Sequence, residues 1–178
     1  MKKFITLLAL TFSLFAAHAN MDEALAAYHK KDYKTALSHS LPLAEHGDKS
    51  VQYFLHTVYL GLGDGDKALY WLRQSSANGF ADAQNTLGNY YHTGTLVKRN
   101  HLVAYALFDH AAANNSQLGK ENRDYTGVFM QERDGSNFNF DRAKKLSEEM
   151  NKPQNFLKAL DAYVKAHPEP YPKKPDNP

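Results

Sequence analysis

The chain of 178 residues contains no cysteine. Disulfide bonds, cysteine-ligated metals, thiol nucleophiles and a lipidated N-terminal cysteine are therefore excluded, and packing alone has to stabilise the fold. Beyond residue 19 no apolar run is long enough to span a bilayer. Tryptophan occurs once, against 11 tyrosines and 10 phenylalanines. The aromatic part of any core must therefore come mainly from tyrosine and phenylalanine.

The chain also lacks a dominant charge. It has 21 lysines and arginines and 19 aspartates and glutamates. The first 19 residues contain Lys2 and Lys3 and no acidic residue, so the residues after them carry 19 charges of each sign. A balanced chain gives no electrostatic reason to expect a nucleic acid or an anionic membrane surface as a partner.

The N-terminus has the composition of a secretory signal peptide. Lys2 and Lys3 precede an apolar run from Phe4 to Ala17, and Ala17-His18-Ala19 is a small-x-small cleavage site. The apolar run is too short for a spanning helix. We therefore predict a signal peptide over 1–19, export to the periplasm with possible onward secretion, and no stable membrane insertion after cleavage.

The rest of the chain repeats itself. An offset of 32 residues superimposes five pairs, namely Ala36 on Ala68, Gly47 on Gly79, Gln52 on Gln84, Leu55 on Leu87 and Tyr59 on Tyr91. The next offset is 36, with Ala68 on Ala104 and Ala77 on Ala113, and the extra residues fall in the loop 95–101. A period that is constant in helices and varies in one loop is typical of stacked helix pairs.

Apolar periodicity and turn residues predict an all-α chain. The predicted helices are Met21–His29, Tyr33–Glu45 with a kink at Pro42, Lys49–Leu60, Asp66–Ala77, Ala81–His92, Leu102–Ala113, Gln117–Gln131, Phe140–Met150 and Pro153–Ala166. Gly79 suits the left-handed position after a helix, and Asn114-Asn115 replaces that glycine one repeat later. The domains predicted are the leader 1–19, a repeat domain 20–166 and a proline-rich, mobile tail 167–178.

The repeat from Ala68 to Asn100 resembles the Sel1-like repeat, a branch of the tetratricopeptide superfamily. The matching signature positions are Trp71, Gly79, Ala83, Gln84, Leu87, Gly88, Tyr91 and Gly94. The preceding copy, with Gly47, matches more loosely because His56 replaces the signature glycine, and the following copy loses its turn glycine. The resemblance implies a right-handed α-solenoid of about three helix pairs with capping helices.

The resemblance also implies a function. Family members usually act as adaptors, so we expect a non-catalytic protein–protein interaction adaptor of the bacterial cell envelope that binds a protein or peptide on the concave face of the repeats. One alternative is a periplasmic immunity protein that neutralises a secreted toxin. A further alternative is a β-lactam hydrolase, as described for cysteine-rich members, although this chain has neither their cysteines nor a Ser-x-x-Lys motif.

Partner-binding residues are predicted from repeat columns that the fold does not need. The first helix of each repeat usually lines the concave face. Two columns there hold tyrosine, asparagine and other polar residues, namely Tyr53, Asn85 and Glu121, and one turn further Thr57, Asn89 and Tyr125. Tyrosine and asparagine favour adaptable interfaces, and ordinary surface polarity is the competing interpretation.

Motifs for chemistry are weak. The histidines after the leader form no HxxxH or HExxH pair on a helix, so no metal site and no cofactor are expected. His92 and His101 are the one pair that the topology could bring together. Glu148-Glu149 lies near Lys144 and Lys145 and indicates a solvated helix face, and Gly61–Gly65 is an inter-helix turn. No catalytic residue is predicted.

Overall fold

A computed structural model describes residues 20–134, 140–152 and 154–167. These residues form helices joined by turns, and no strand occurs among them. The first helix, α1, covers 20–29. The others are α2 (Tyr33–Glu45), α3 (Lys49–Gly61), α4 (Gly65–Ala77), α5 (Ala81–Thr93), α6 (His101–Ala113), α7 (Gln117–Asp134), α8 (Phe140–Met150) and α9 (Phe156–Ala166).

Side-chain caps define several helix starts. The Asp32 carboxylate accepts from the backbone N–H of Thr35, and the Asp48 carboxylate accepts from those of Ser50 and Val51. The Asn100 side chain caps α6 through the N–H of Val103. Each cap satisfies N–H groups that the first turn of a helix leaves without intrahelical partners.

The first of two compact units ends at Trp71. Its α2 and α3 pack together, and buried Leu55, Tyr59, Ala68 and Trp71 share one apolar cluster. His56 lies at the position of the signature glycine and is buried, and its Nδ1 is 3.2 Å from the carbonyl oxygen of Ala68. Because a carbonyl can only accept, the Nδ1 of His56 carries the proton.

The second unit begins at Leu72 and is built around α6. This helix contacts α5, α7 and α8, and nine of its residues are buried, including Leu107 and Phe108. A helix that is apolar nearly all round belongs in a core rather than at a surface. It therefore forms a support for the helices on either side of it.

Small residues set the distances between helices in this unit. A Cβ added to Gly88 would lie 2.6 Å from the ring of Phe108, so the α5–α6 contact requires glycine there. Gly119 of α7 faces Ala111 of α6 in the same way, with a distance of 2.7 Å from the added Cβ. The glycine at 119, which weakens the repeat pattern in the sequence, is thus a close-packing residue.

The predicted helix boundaries agree with the structure to within one residue for most elements. The turn at Gly79 is left-handed, with φ +77°, and Asn115 takes the same conformation at φ +66°. Two boundaries were wrong. Helix α7 continues to Asp134 instead of ending at Gln131. Helix α9 begins at Phe156 instead of Pro153, because Gln154 has a left-handed φ of +56° through which a right-handed helix cannot run.

Two sequence predictions lie outside the described residues. They are the leader over 1–19 and the tail beyond His167. Pro42 lies inside α2, which runs on to Glu45.

Among the described residues, no helix combines the length and apolar character that crossing a bilayer requires.

Candidate protein-interaction face

Helix α7 exposes a line of apolar side chains. Leu118, Tyr125 and Val128 are 58%, 63% and 56% exposed, the highest values among the large hydrophobic residues described. With Glu121 they follow each other at three- or four-residue steps, which places them along one side of the helix. We call these four residues the α7 stripe. Exposed apolar residues that are contiguous rather than scattered are typical of binding surfaces.

Helix α5 lies beside α7 and is joined to it by polar contacts. Asn122 donates from Nδ2 to the Oδ1 of Asn85 at 2.8 Å, and the Thr126 hydroxyl lies 3.5 Å from the Nδ1 of His92. Asn85 is only 9% exposed, so its side chain acts within the fold. Asn89, one turn along α5, is half-buried. Asn85, Asn89, Glu121 and Tyr125 therefore lie on two neighbouring helices.

His92 and His101 come together as the topology suggested. Their Nδ1 atoms are 3.3 Å apart, and the ring centroids are separated by 4.8 Å. One Nδ1 must donate and the other accept, so the two rings share a single proton at this contact. Burial lowers the pKa of His92, and the nearby Arg99 guanidinium lowers it further. Both effects favour the neutral form of the His92 ring.

Aromatic rings link this histidine pair to the α7 stripe. The ring of Phe129 lies 6.0 Å from that of His92 and 5.6 Å from that of His101. Tyr125 stacks on Phe129 with an angle of 18° between the planes. Phe129 was not predicted as a site residue, and its spacing of four from Tyr125 is the signal that could have identified it. Tyr125, one member of the stripe, therefore packs against a cluster of aromatic rings.

The two predicted binding residues of the first unit have local partners. The ring of Tyr53 stacks on that of His56 at 5.9 Å, and the Thr57 hydroxyl donates to the carbonyl oxygen of Phe54 at 2.7 Å. Both side chains are half-buried on α3.

The residues predicted for structural repeat positions are in interior or turn environments. Gly47, Gly79 and Gly94 have left-handed φ values of +91°, +77° and +83°. The others are buried, and they are Trp71, Ala83, Leu87, Gly88 and Tyr91. Gly88 admits the Phe108 ring, as described above. These positions therefore serve the packing and the turns of the repeats.

Two ion-pair networks escaped the sequence analysis. Asp109 of α6 accepts from the Arg123 guanidinium of α7 at 3.1 Å and from the Ser147 hydroxyl of α8 at 3.0 Å. Arg73 contacts Asp161 at 2.5 Å, which joins the end of α4 to α9. Residues so far apart in the chain give no local pattern, so only the tertiary structure reveals them. Both networks hold helices in position.

Reactive constellations are not evident in the described residues. No group of three or more potential metal ligands is close enough to hold an ion in the part of the chain that the structure describes. Glu148 is exposed, and Glu149 contacts Lys152 at 2.6 Å. This arrangement is a solvated helix face with an ion pair, and it offers no carboxylate pair for acid–base chemistry.

Comparisons with known proteins agree with the repeat architecture. No protein-family model matches the chain. It is 34% identical over 120 residues to the Sel1-repeat-containing protein YjcO of Escherichia coli K12, and equally similar to YjcO of E. coli O157:H7 and of Shigella flexneri. The match covers 67% of this chain and 46% of YjcO, so the chain spans about half the length of these relatives.

A solved structure shares the fold. The protective antigen c5321 of uropathogenic E. coli, whose crystal structure displays an SLR fold, superimposes with a TM-score of 0.63 over 91% of this chain and 35% of c5321. The sequence identity is 24%, so this likeness concerns the fold alone. The stacked helix pairs, the signature residues around Gly79 and the similarity to YjcO together identify the chain as a Sel1-like repeat protein.

Proposed function

We propose that this protein is a non-catalytic adaptor of the bacterial cell envelope that binds a protein or peptide through the α7 stripe and the adjoining residues of α5. The observation that carries the proposal is the exposure of Leu118, Tyr125 and Val128 in one line. Keeping three large apolar side chains in water gains nothing for folding, whereas covering them with a partner removes apolar area from water.

The chemistry of the face favours a polypeptide as the partner. Tyr125 combines an apolar ring with a hydroxyl, Asn89 offers an amide donor and acceptor, and Glu121 adds a carboxylate at the same side of α7. Glu121 accepts from Gln117 at 2.9 Å, which keeps its side chain close to the helix surface. A mixed surface with an aromatic anchor and polar edges is the usual composition of a protein interface.

Rigidity of the supporting layer adds to the proposal. Thr126 and Met130 are buried on the opposite side of α7, and Gly119 allows α7 to approach α6 closely. Because the helix is already ordered before binding, little conformational entropy remains to be lost. The corresponding position on the first unit, Tyr53 with Thr57, is proposed as a further contact for the same class of partner.

Export is part of the proposal and rests on the composition of the leader. Lys2, Lys3, the apolar run and Ala17-His18-Ala19 support cleavage before Asn20 and release into the periplasm. The proposed domains remain the leader 1–19, the repeats 20–166 and the tail 167–178. N-terminal sequencing of the protein recovered from a periplasmic fraction tests this directly. A mature chain that begins at Asn20 supports export, and an intact Met1 in the cytoplasmic fraction contradicts it.

Affinity capture tests the interaction. The chain from residue 20 is used as bait on the native cell envelope, beside a variant with Leu118→Ser, Tyr125→Ala and Val128→Ser. Lys120→Ala is the matched control because Lys120 is exposed on another side of α7. We expect a partner that the parent and the control retain and the triple variant loses. Equal retention by all three baits would rule out the α7 stripe as the binding surface.

A further inference from the structure

We propose that the partner of the α7 stripe is a second copy of this chain, which receives the stripe in a groove between α8 and α9. The groove has a volume of about 620 Å³ and is lined by one side of each of these helices. This inference rests on the proposed function, because it takes the stripe as a binding surface and names what binds there.

The floor of the groove is apolar, and small side chains dominate it. Ala159, Ala162 and Ala166 recur at three- or four-residue steps, which places them along one side of α9. Leu146 of α8 and Tyr163 of α9 line the same groove. Small side chains at a contact allow another helix to come close. The groove therefore suits a third helix that presents a line of apolar residues.

The sides of the groove carry an excess of positive charge. Arg142 and Lys145 of α8 and Lys158 of α9 line it, and all three are exposed. Glu149 also lines it, but its carboxylate lies 2.6 Å from the Nζ of Lys152. The groove therefore favours a helix that carries carboxylates beside its apolar residues.

The cations lie towards both ends of the groove. Arg142, near the start of α8, contacts the ring of His167 after the end of α9, and Asn155, before α9, donates to the carbonyl oxygen of Glu149 near the end of α8. The two helices are therefore antiparallel, and Arg142 and Lys158 lie towards opposite ends. Lys158 and His167 are nine residues apart, which is about 14 Å along a helix.

The α7 stripe has the complementary chemistry and length. Its apolar members are Leu118, Tyr125 and Val128, and Glu121 lies among them. Glu132 is exposed and follows Val128 by four residues, which adds a second carboxylate on the same side of α7. The two carboxylates are separated by about 16 Å along the helix, close to the separation of the positive ends of the groove. Each end can therefore form an ion pair while the apolar residues meet the alanines.

The overall charge of the chain permits this contact. The residues after position 19 carry 19 charges of each sign, and proteins with a net charge near zero associate more readily than highly charged ones. Because the stripe and the groove are different surfaces, the contact is head-to-tail, and further copies can add until a ring closes.

Sedimentation velocity of the chain from residue 20 tests the inference. We expect a sedimentation coefficient that rises with protein concentration, and less so at high salt because ions screen the pairs. Lys145→Glu with Lys158→Glu reverses the groove, and Glu121→Lys with Glu132→Lys reverses the stripe. Each double variant alone should lose the rise. An equimolar mixture should recover it, because each stripe then finds a groove of opposite charge.

Lys144→Glu with Lys165→Glu is the matched control. It makes the same charge change at exposed positions of the same two helices, outside the lining of the groove, and should associate as the parent does. The inference is overturned if either reversed variant associates like the parent or if the mixture stays monomeric. If a reversed variant fails to fold, association of the parent that is insensitive to salt also overturns it.

A parent chain that stays monomeric at every concentration overturns the inference as well. The affinity capture described above then decides separately whether the stripe binds a different protein, so the two failures are distinguishable. Association that appears only after removal of residues 168–178 would assign the groove to the tail of the same chain, and would also overturn the inference.

Discussion

The Gln84 side chain donates a hydrogen bond of 2.9 Å to the carbonyl oxygen of Ser76, eight residues earlier at the end of the preceding helix. Gln52 makes the same bond to Ala44, also eight residues earlier, at 3.0 Å. The two glutamines are related by the 32-residue offset of the repeat. The signature glutamine is therefore a structural residue that closes the helix–turn–helix in the two repeats that carry it, and this bond is a repeat feature beyond hydrophobic packing.

Gln84→Leu should destabilise the chain. The substitution keeps the side-chain volume but removes the bonds to Ser76 and from Asn114, while the Ser76 carbonyl keeps its bond from the N–H of Gly79. Because one partner remains, we expect a loss of about 1–2 kcal/mol in the free energy of unfolding, measured by urea denaturation. Gln131→Leu on exposed α7 is the control and should change stability by less than about 0.5 kcal/mol. Equal effects from both changes would show that the Gln84 bonds contribute nothing.

Gly88→Ala should also lower stability, although alanine is the better helix former. Helix propensity favours alanine by up to about 1 kcal/mol, whereas overpacking in a filled core costs about 1–3 kcal/mol. The added Cβ would lie 2.6 Å from the Phe108 ring, which is fully buried and cannot move away freely, so the overpacking term should prevail.

A double-mutant cycle identifies the cause of the Gly88 effect. Phe108→Leu removes the ring that the new Cβ would meet, so the cost of Gly88→Ala should largely disappear in that background. Thermal unfolding of the four proteins measures the coupling. Additive losses would mean that Gly88 is required for some reason other than the Phe108 contact.

Gly79→Val should destabilise the second unit through its backbone. Gly79 has φ +77°, and a Cβ added there would meet nothing within 4 Å, so the cost comes from the left-handed conformation alone. We expect a loss of about 2 kcal/mol in the free energy of unfolding, since branched side chains resist this conformation. Gly79→Asn should recover most of it because asparagine tolerates positive φ, as Asn115 does one repeat later. Equal decreases in melting temperature for Gly79→Val and Gly79→Asn would contradict this interpretation.

Stability should fall as the solution becomes mildly acidic. Burial lowers the pKa of His56, His92 and His110 below the ordinary value for histidine, which is about 6.5. The unfolded chain therefore binds more protons than the folded chain just below pH 6.5, and the free energy of unfolding decreases as the pH falls through this interval. The aspartates whose pKa is lowered in the fold, such as Asp48, lose their stabilising contribution only when the pH falls below about 3.8, outside this interval.

Urea denaturation between pH 7.5 and pH 5 measures this effect. His110→Phe should reduce the slope because the phenyl ring cannot be protonated, and His29→Phe, at an exposed position on α1, is the control. A free energy of unfolding that is constant over this range would show that the three buried histidines do not couple protonation to folding.

Much of the fold could be predicted because its determinants are local. Glycines at 47, 79 and 94, the aspartate caps and the four-residue spacing of Ala83, Leu87 and Tyr91 each act within a few residues. The His92–His101 contact was also predictable, because a short loop joins the helix that ends near one histidine to the helix that begins with the other.

The candidate site was harder to predict because exposure depends on tertiary neighbours. Asn85 and Tyr125 look alike as polar or aromatic repeat positions. In the structure, Asn122 bonds to Asn85, which is 9% exposed, whereas Tyr125 is 63% exposed. Gly119 departs from the repeat pattern in the sequence, and only the structure shows that its close contact with Ala111 requires a glycine.

Site-specific photo-crosslinking in living cells tests the central claim most directly. A benzoylphenylalanine residue placed at Tyr125 of the full chain should form a discrete crosslinked adduct with an envelope protein upon irradiation. The same residue placed at Lys120, on another side of α7, should not. An adduct at position 125 and none at 120 is the result that the proposed interaction face predicts. Adducts of equal yield at both positions, or none at 125, would contradict it.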